Sequence, residues 1–424
     1  LPKFRDIVHI DRSNYYKKLT YIISATHSIE LANTLFIIYS RSQELRMTIL
    51  ATIDEPTGGL ILKNETRSIA LHPLWVRERI SGPAVFDPVS HQRLYEHAHL
   101  PPELRITKII AHKTETLDVR FSDGKKHQLF LPDIYQELGW STDPETLPRP
   151  VAWNASLKIL PEADWNTLDD PLAMKTFLRN YFIHGFCILQ NTPTHRDSLK
   201  TLSKRFGYLR ETNFGEIFNV ETKPDPTDLA YTNVALMSHT DNPYRSPVPG
   251  IQYLHCLQNE VSGGLSTLVD GMAIANGLRR ENTEQADILE HIQVRFRYEG
   301  PSAILENHGP IIERDHQGDV RHIRLSSRVD YVPALKPEIL SLFYAGRRRL
   351  HEMSNNKEYQ IRFPFRPGTL LMMDNYRLLH GRTAFNGQQG YRHLQGCYID
   401  HDGPASLYRM LMRDGITTSV KREE

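Results

Sequence analysis

The apolar and polar positions divide the chain into three stretches. Residues 1–57 show no sustained period and are expected to be an extension, closed by the turn-like run Asp54-Glu55-Pro56-Thr57-Gly58-Gly59. From 58 to 146 short apolar runs such as Leu60-Ile61-Leu62 recur. Leu117-Asp118-Val119-Arg120-Phe121 alternates in and out and is followed by Ser122-Asp123-Gly124, a strand and then a turn. A small β-rich domain is expected there. Leu147-Pro148-Arg149-Pro150 reads as a stiff linker. In the remaining stretch, 151–424, helical spacing covers 169–180 and 197–206, the latter with Leu199, Leu202 and Phe206 on one face. The apolar run 182–189 predicts a buried strand. Helices are expected near 272–280 and 337–353, and closing strands at 369–373 and 395–399. The fold class is mainly β with helices (α+β): a double-sheet jelly roll decorated with helices, preceded by the small domain.

Composition narrows the function classes. The 51 basic and 50 acidic side chains leave a formal charge of +1, with no cationic excess of the kind a nucleic-acid binder presents, so no nucleic-acid partner is expected. Cys187, Cys256 and Cys397 are too few and scattered for a disulfide framework, and their apolar neighbours predict buried thiols. A reducing compartment follows, the cytoplasm first and the mitochondrial matrix as the alternative. The apolar stretch 19–40 contains His27, Glu30 and Asn33 and does not read as a membrane span.

His-x-Asp occurs three times, as His9-Ile10-Asp11, His195-Arg196-Asp197 and His239-Thr240-Asp241. Alone the pattern carries little. On a strand, however, residues two apart share a face, so His239 and Asp241 would offer an imidazole and a carboxylate to one ion. His380, which precedes Gly381 where the backbone can bend, is the candidate third ligand. Two imidazoles and one carboxylate leave three positions of an octahedral iron open, enough for a bidentate keto acid and dioxygen. Arg392, twelve residues beyond His380, can grip a distal carboxylate through its planar fork. Two rivals remain: a zinc hydrolase built on the same three ligands, and a non-catalytic binder of a betaine or a protein partner.

Several segments in order resemble the γ-butyrobetaine and trimethyllysine dioxygenases of the taurine-dioxygenase-like group. They are Leu229-Ala230-Tyr231-Thr232-Asn233, Ser238-His239-Thr240-Asp241-Asn242, Pro249-Gly250-Ile251-Gln252 and Leu254-His255-Cys256. Further on come Gly263-Gly264-Leu265-Ser266-Thr267-Leu268-Val269-Asp270-Gly271, the His380 segment, and Arg392-His393-Leu394-Gln395-Gly396-Cys397-Tyr398. The resemblance runs from about 182 to 413. It implies a distorted double-stranded β-helix, iron(II) at His239, Asp241 and His380, and 2-oxoglutarate anchored by Arg392 with the Ser266 hydroxyl near its carboxylate. Leu265 stands where relatives carry an acidic residue. The implied reaction consumes dioxygen and 2-oxoglutarate, releases succinate and carbon dioxide, and hydroxylates a small molecule. A homodimer is implied as well.

The same resemblance places Phe214, Phe218, Tyr231 and Tyr398 around a quaternary ammonium head, with Phe at two positions where the butyrobetaine enzyme carries Tyr and Trp. Asn233, Asn242 and Tyr244 are expected beside them. His255 is expected to be a core histidine. Leu71-His72-Pro73-Leu74-Trp75-Val76-Arg77-Glu78-Arg79 resembles the small domain of these enzymes, in which cysteines hold a structural zinc. This chain has Ile80, Gly82 and Val85 at the cysteine positions, so no structural zinc is expected.

Overall fold

A computed structural model of the protein describes residues 50–113, 115–141, 143, 145–221, 233–386 and 390–414. The chain divides into two compact units, Leu1–Asp143 and Pro144–Glu424. Most of the expected extension, and Tyr231, lie outside the described residues.

In the first unit, β1 (Leu50–Asp54), β2 (Gly59–Lys63) and β3 (Ser68–Leu71) form one antiparallel sheet, followed by helix α1 (Pro73–Glu78). A second is made by β4 (Ile106–His112), β5 (Thr116–Phe121) and β6 (Lys126–Phe130), before α2 (Leu131–Glu137). The turn expected to close the extension at 57 instead joins β1 to β2, with Asp54 paired to Gly59. Ala51 and Ile53 pack on the core of this unit, which is why the strand belongs with it. Ile80 and Val85 are buried in that core with Leu60, Val76 and Leu104.

The second unit opens with β7 (Glu162–Asp164), α3 (Pro171–His184), β8 (Phe186–Gln190), α4 (Ser198–Ser203), β9 (Phe218–Glu221) and β10 (Leu236–His239). The apolar run expected as one strand over 182–189 is divided between α3 and β8. Gly185, at φ +78°, donates its N–H to the Tyr181 carbonyl at 2.7 Å and ends the helix, a left-handed cap for which glycine is suited. After β11 (Ile251–Asn259) and β12 (Ser266–Asp270) come α5 (Gly271–Glu281), α6 (Thr283–His291), β13 (Val294–Gly300) and β14 (Ala303–Gly309). Next are β15 (Ile312–Arg314), β16 (Val320–Ile323), β17 (Asp330–Tyr331) and α7 (Pro337–Ser354). The chain closes with β18 (Gln360–Phe363), β19 (Leu370–Asp374), β20 (Leu378–Arg382), β21 (Arg392–Ile399) and α8 (Asp402–Arg413).

Two sheets carry the unit, in the orders β7-β8-β19-β11-β21-β9 and β10-β20-β12-β18. All pairings in them are antiparallel except β7 with β8. The alternation of side chains sorts three apolar layers. Ile188, Leu371, Met373, Leu394, Leu268, Leu378 and Ile361 come from both sheets and meet in one cluster, so the sheets face each other there. Their neighbours Leu189, Leu370, Met372 and Cys397 point the other way, onto Phe177, Tyr181 and Tyr408 of the helices. Val269 and Leu379 likewise leave the four-stranded sheet on its far side, against Ile274, Leu289 and Phe343. All three cysteines are buried free thiols, and burial pushes Cys256 up to about 12. Among the described residues no helix is long and apolar enough to cross a membrane.

Candidate active site

Period-two alternation predicts which residues share the space between the sheets. On β20, His380 and Arg382 follow Leu378 inward, and on β21 Arg392 and Tyr398 share the face of Leu394. Gln252 and Leu254 on β11 and Phe218 and Val220 on β9 face the same space. These side chains, with Ser266, line one cavity of about 200 Å³. His239, Asp241, Asn242, Tyr244, Phe214, Tyr298 and Arg328 complete much of its wall.

His239 and His380 are register partners on β10 and β20. With Asp241 they form the one group among the described residues able to hold a metal ion, their ligand atoms within 4.8 Å of one another. The expected geometry differs in one respect. The strand ends at His239, so the pleat does not bring Asp241 alongside it. Instead Asn375, in the turn between β19 and β20, accepts the Asp241 N–H at 2.8 Å and donates to the Asp241 carbonyl at 3.0 Å. The turn that leads into His380 therefore pins the second ligand. Gly381 is in register with Thr267 inside β20 rather than at a bend. A Cβ there would lie 2.5 Å from the Leu236 carbonyl oxygen, so the glycine permits close approach of β10.

The ligand atoms are oriented for a cation. His239 donates Nδ1–H to the Met237 carbonyl at 2.9 Å, which leaves Nε2 as the lone-pair atom. That Nε2 lies 3.3 Å from Asp241 Oδ1, and His380 Nε2 lies 3.8 Å from the same oxygen. Burial opposes ionisation of Asp241, but His380, His239 and the Tyr398 hydroxyl hold its carboxyl well below the usual range. Burial, helped by His239 and Arg328 and opposed by Asp241, pushes His380 down to about 3.

Arg392 is 5% exposed, its Nε has no hydrogen-bond partner, and it has no ion pair with a described carboxylate. Burial pulls its guanidinium down from the ordinary value, with Cys256 acting the other way. A buried guanidinium without an anion is costly, and a carboxylate ligand would relieve that cost. Arg382, outside the expected set, lies beside it. Burial and then the charge of Arg392 bring Arg382 down to about 10, and both guanidiniums lie over the Phe385 ring. The His380-Gly381-Arg382 spacing puts Arg382 on the ligand's face, a signal present in the sequence.

The other expected residues fall into three groups. Phe214, Phe218, Tyr398, Asn242, Tyr244 and Ser266 line the cavity. Phe218 packs on Tyr398 with centroids 5.3 Å apart, and Gly396 opposite makes room: a Cβ there would come within 2.4 Å of the Phe218 ring. Asn233 is exposed and outside the cavity wall, its carbonyl accepting from Phe385 N–H. Tyr231 is not described. His255 is wholly buried, with Nε2 3.0 Å from Thr192 Oγ1, and lies away from the ligands as a core histidine. Gln252, Tyr298 and Arg328 were not anticipated. Gln252 stood in a motif whose alternation places it inward, whereas nothing local marks Tyr298 or Arg328.

The family described as taurine catabolism dioxygenase TauD, TfdA matches residues 145–398, which include the three ligand candidates and Arg392. The chain belongs to this family. It is thus an enzyme of the iron- and 2-oxoglutarate-dependent dioxygenase class, and the donor set and the unpaired Arg392 fit that pair of groups. Gamma-butyrobetaine dioxygenase of Pseudomonas sp. (strain AK-1) is 32% identical over 84% of this chain and 94% of its own length. Trimethyllysine dioxygenase, mitochondrial, of Rattus norvegicus is 28% identical over 80% and 82%. Dioxygenase str8 of Strobilurus tenacellus is 29% identical over 80% and 84%. Relatives with different names thus stand at nearly equal distance.

Proposed function

We propose that the protein hydroxylates a small quaternary-ammonium compound resembling γ-butyrobetaine, on a distorted double-stranded β-helix. Iron(II) would be held by His239, Asp241 and His380, and 2-oxoglutarate would have its distal carboxylate on Arg392. The observation that carries the reading is the convergence of these four side chains on one cavity that aromatic rings also enter. Iron, when bound, supplies the oxidative chemistry that couples loss of carbon dioxide from 2-oxoglutarate to hydroxylation.

The chain's own part is binding, orientation and exclusion of water. A trimethylammonium group has no hydrogen to donate, so charge, shape and the faces of aromatic rings must recognise it. Phe214, Phe218 and Tyr398 offer such faces, and Tyr298, stacked on Tyr244 with centroids 5.1 Å apart, adds another. Tyr231 and Asn242 belong to the proposal through the family resemblance. The same resemblance supports Ser266 as the co-substrate's hydroxyl partner and a homodimer as the assembly.

Arg328 also lines the cavity, and its charge acts on His380. The test is a succinate-release screen over quaternary ammonium compounds with and without a carboxylate, with mass spectrometry of the products. Substrate-dependent succinate with a product heavier by one oxygen is expected. Uniform failure of these compounds, with turnover on an uncharged small molecule, would sink the substrate assignment.

A further inference from the structure

We infer that Gln252 and Tyr398 act together as positioning residues that turn the Asp241 carboxylate so that one oxygen faces the metal. Tyr398 thereby joins the wall of the substrate cavity to the metal centre. The inference rests on the iron reading above and concerns residues outside the ligand set.

A carboxylate on a free side chain rotates about its Cβ–Cγ bond and can present either oxygen. Here Asp241 Oδ2 accepts two hydrogen bonds, from Gln252 Nε2 at 2.7 Å and from the Tyr398 hydroxyl at 2.7 Å. Oδ1 is left to face His239 and His380. Both donors come from one rung of the sheet, because Gln252 and Tyr398 are register partners on β11 and β21. They are 1% and 3% exposed, so water does not compete for the oxygen they hold. Outer partners of this kind fix a ligand's direction and its basicity.

The rest of the ligand set shows why this contact matters. His380 Nδ1 is buried without a hydrogen-bond partner, and His239 has the single backbone acceptor Met237. Asp241 is the one ligand whose metal-binding group is held by two side chains. The Tyr398 hydroxyl donates to Asp241 Oδ2 from inside the sheet. Its ring meanwhile lines the cavity and packs against Phe218. The side chain that would contact the substrate's cationic head also holds the metal's carboxylate.

The test is anaerobic titration of the metal-free full-length protein with iron(II), and with cobalt(II) as a spectroscopic probe. Wild type, Tyr398→Phe, Gln252→Leu and the double variant are compared. Tyr398→Phe keeps the ring and removes only the hydroxyl, while Gln252→Leu probes the same oxygen from the other strand. Each single variant is expected to weaken metal binding about 10-fold and the double variant about 100-fold, within the range for lost outer partners. The cobalt absorption spectrum should change, while KM for 2-oxoglutarate at saturating iron stays near wild type because Arg392 is untouched. Wild-type affinity and an unchanged spectrum in both single variants would overturn the inference and leave the iron reading intact. Failure of the wild type itself to bind either metal would overturn both.

Discussion

His239 and His380 stand opposite each other on neighbouring antiparallel strands, their ring centroids 4.4 Å apart. A hydrogen-bonded ladder thus sets their separation, and Asp241 is brought to them by Asn375. Replacing His239, Asp241 or His380 with Ala should lower succinate formation by more than about 100-fold, beyond the loss expected for an outer partner. Metal stoichiometry should fall in parallel. Wild-type turnover in any of the three would remove that residue from the ligand set.

Arg392→Lys keeps the charge but loses the planar fork. KM for 2-oxoglutarate should rise about 10- to 100-fold, the loss of about 1.5–3 kcal/mol from a charge-assisted hydrogen bond. Turnover at saturating 2-oxoglutarate should survive. Initial rates against co-substrate concentration decide it, and an unchanged KM would mean that another cation holds the carboxylate.

Phe218→Leu removes a ring face while keeping an apolar side chain over Gly396. For a trimethylammonium substrate KM should rise about 5- to 30-fold, equivalent to about 1–2 kcal/mol of cation–π attraction. KM for 2-oxoglutarate should not move. Equal increases for both would point to general damage to the cavity.

Beneath the His380 strand lies a buried ion pair. Arg377 Nε and Nη2 donate to Asp270 at 3.0 and 2.8 Å, and its remaining bonds go to the Ile183 and Val151 carbonyls. Asp270 also accepts from the N–H groups of Trp153 and Met272. Asp270→Leu strands a guanidinium in the interior and should cost about 3–5 kcal/mol of stability, read as a lower urea midpoint. A change under about 1 kcal/mol would show that the backbone carbonyls suffice.

His255 provides a pH test of the core. Burial, with His195 adding to it, lowers its pKa from 6.5 to about 4. The folded state therefore resists protonation that the unfolded chain accepts. The contribution of His255 is present in full above about pH 6.5 and is lost as pH falls toward about 4, by about 3 kcal/mol in total. Urea midpoints measured from pH 7 to 4 should fall less steeply in His255→Gln than in wild type. Parallel slopes would contradict the assignment.

Much of the cavity was legible because strand alternation is a local rule. Knowing that Leu378 faces inward is enough to turn His380 and Arg382 the same way, and Leu394 does this for Arg392 and Tyr398. Where the chain leaves regular structure the rule fails. Asp241 lies beyond the end of β10, and its place depends on Asn375, a residue distant in sequence. The 182–189 run shows the same weakness at a boundary: its apolar residues suit helix or strand equally, and Gly185 decides where one stops.

The chain's residue types and their order determined the donors and the fold class: two imidazoles and a guanidinium on strands of period two, and a carboxylate two residues beyond the end of one of them. Tertiary structure alone decided that Gln252 and Tyr398 share a rung beneath Asp241, that Tyr298 and Arg328 reach the cavity, and that Asn233 does not. Such placements depend on which strands become neighbours and on loops between them, and no local pattern of side chains encodes either.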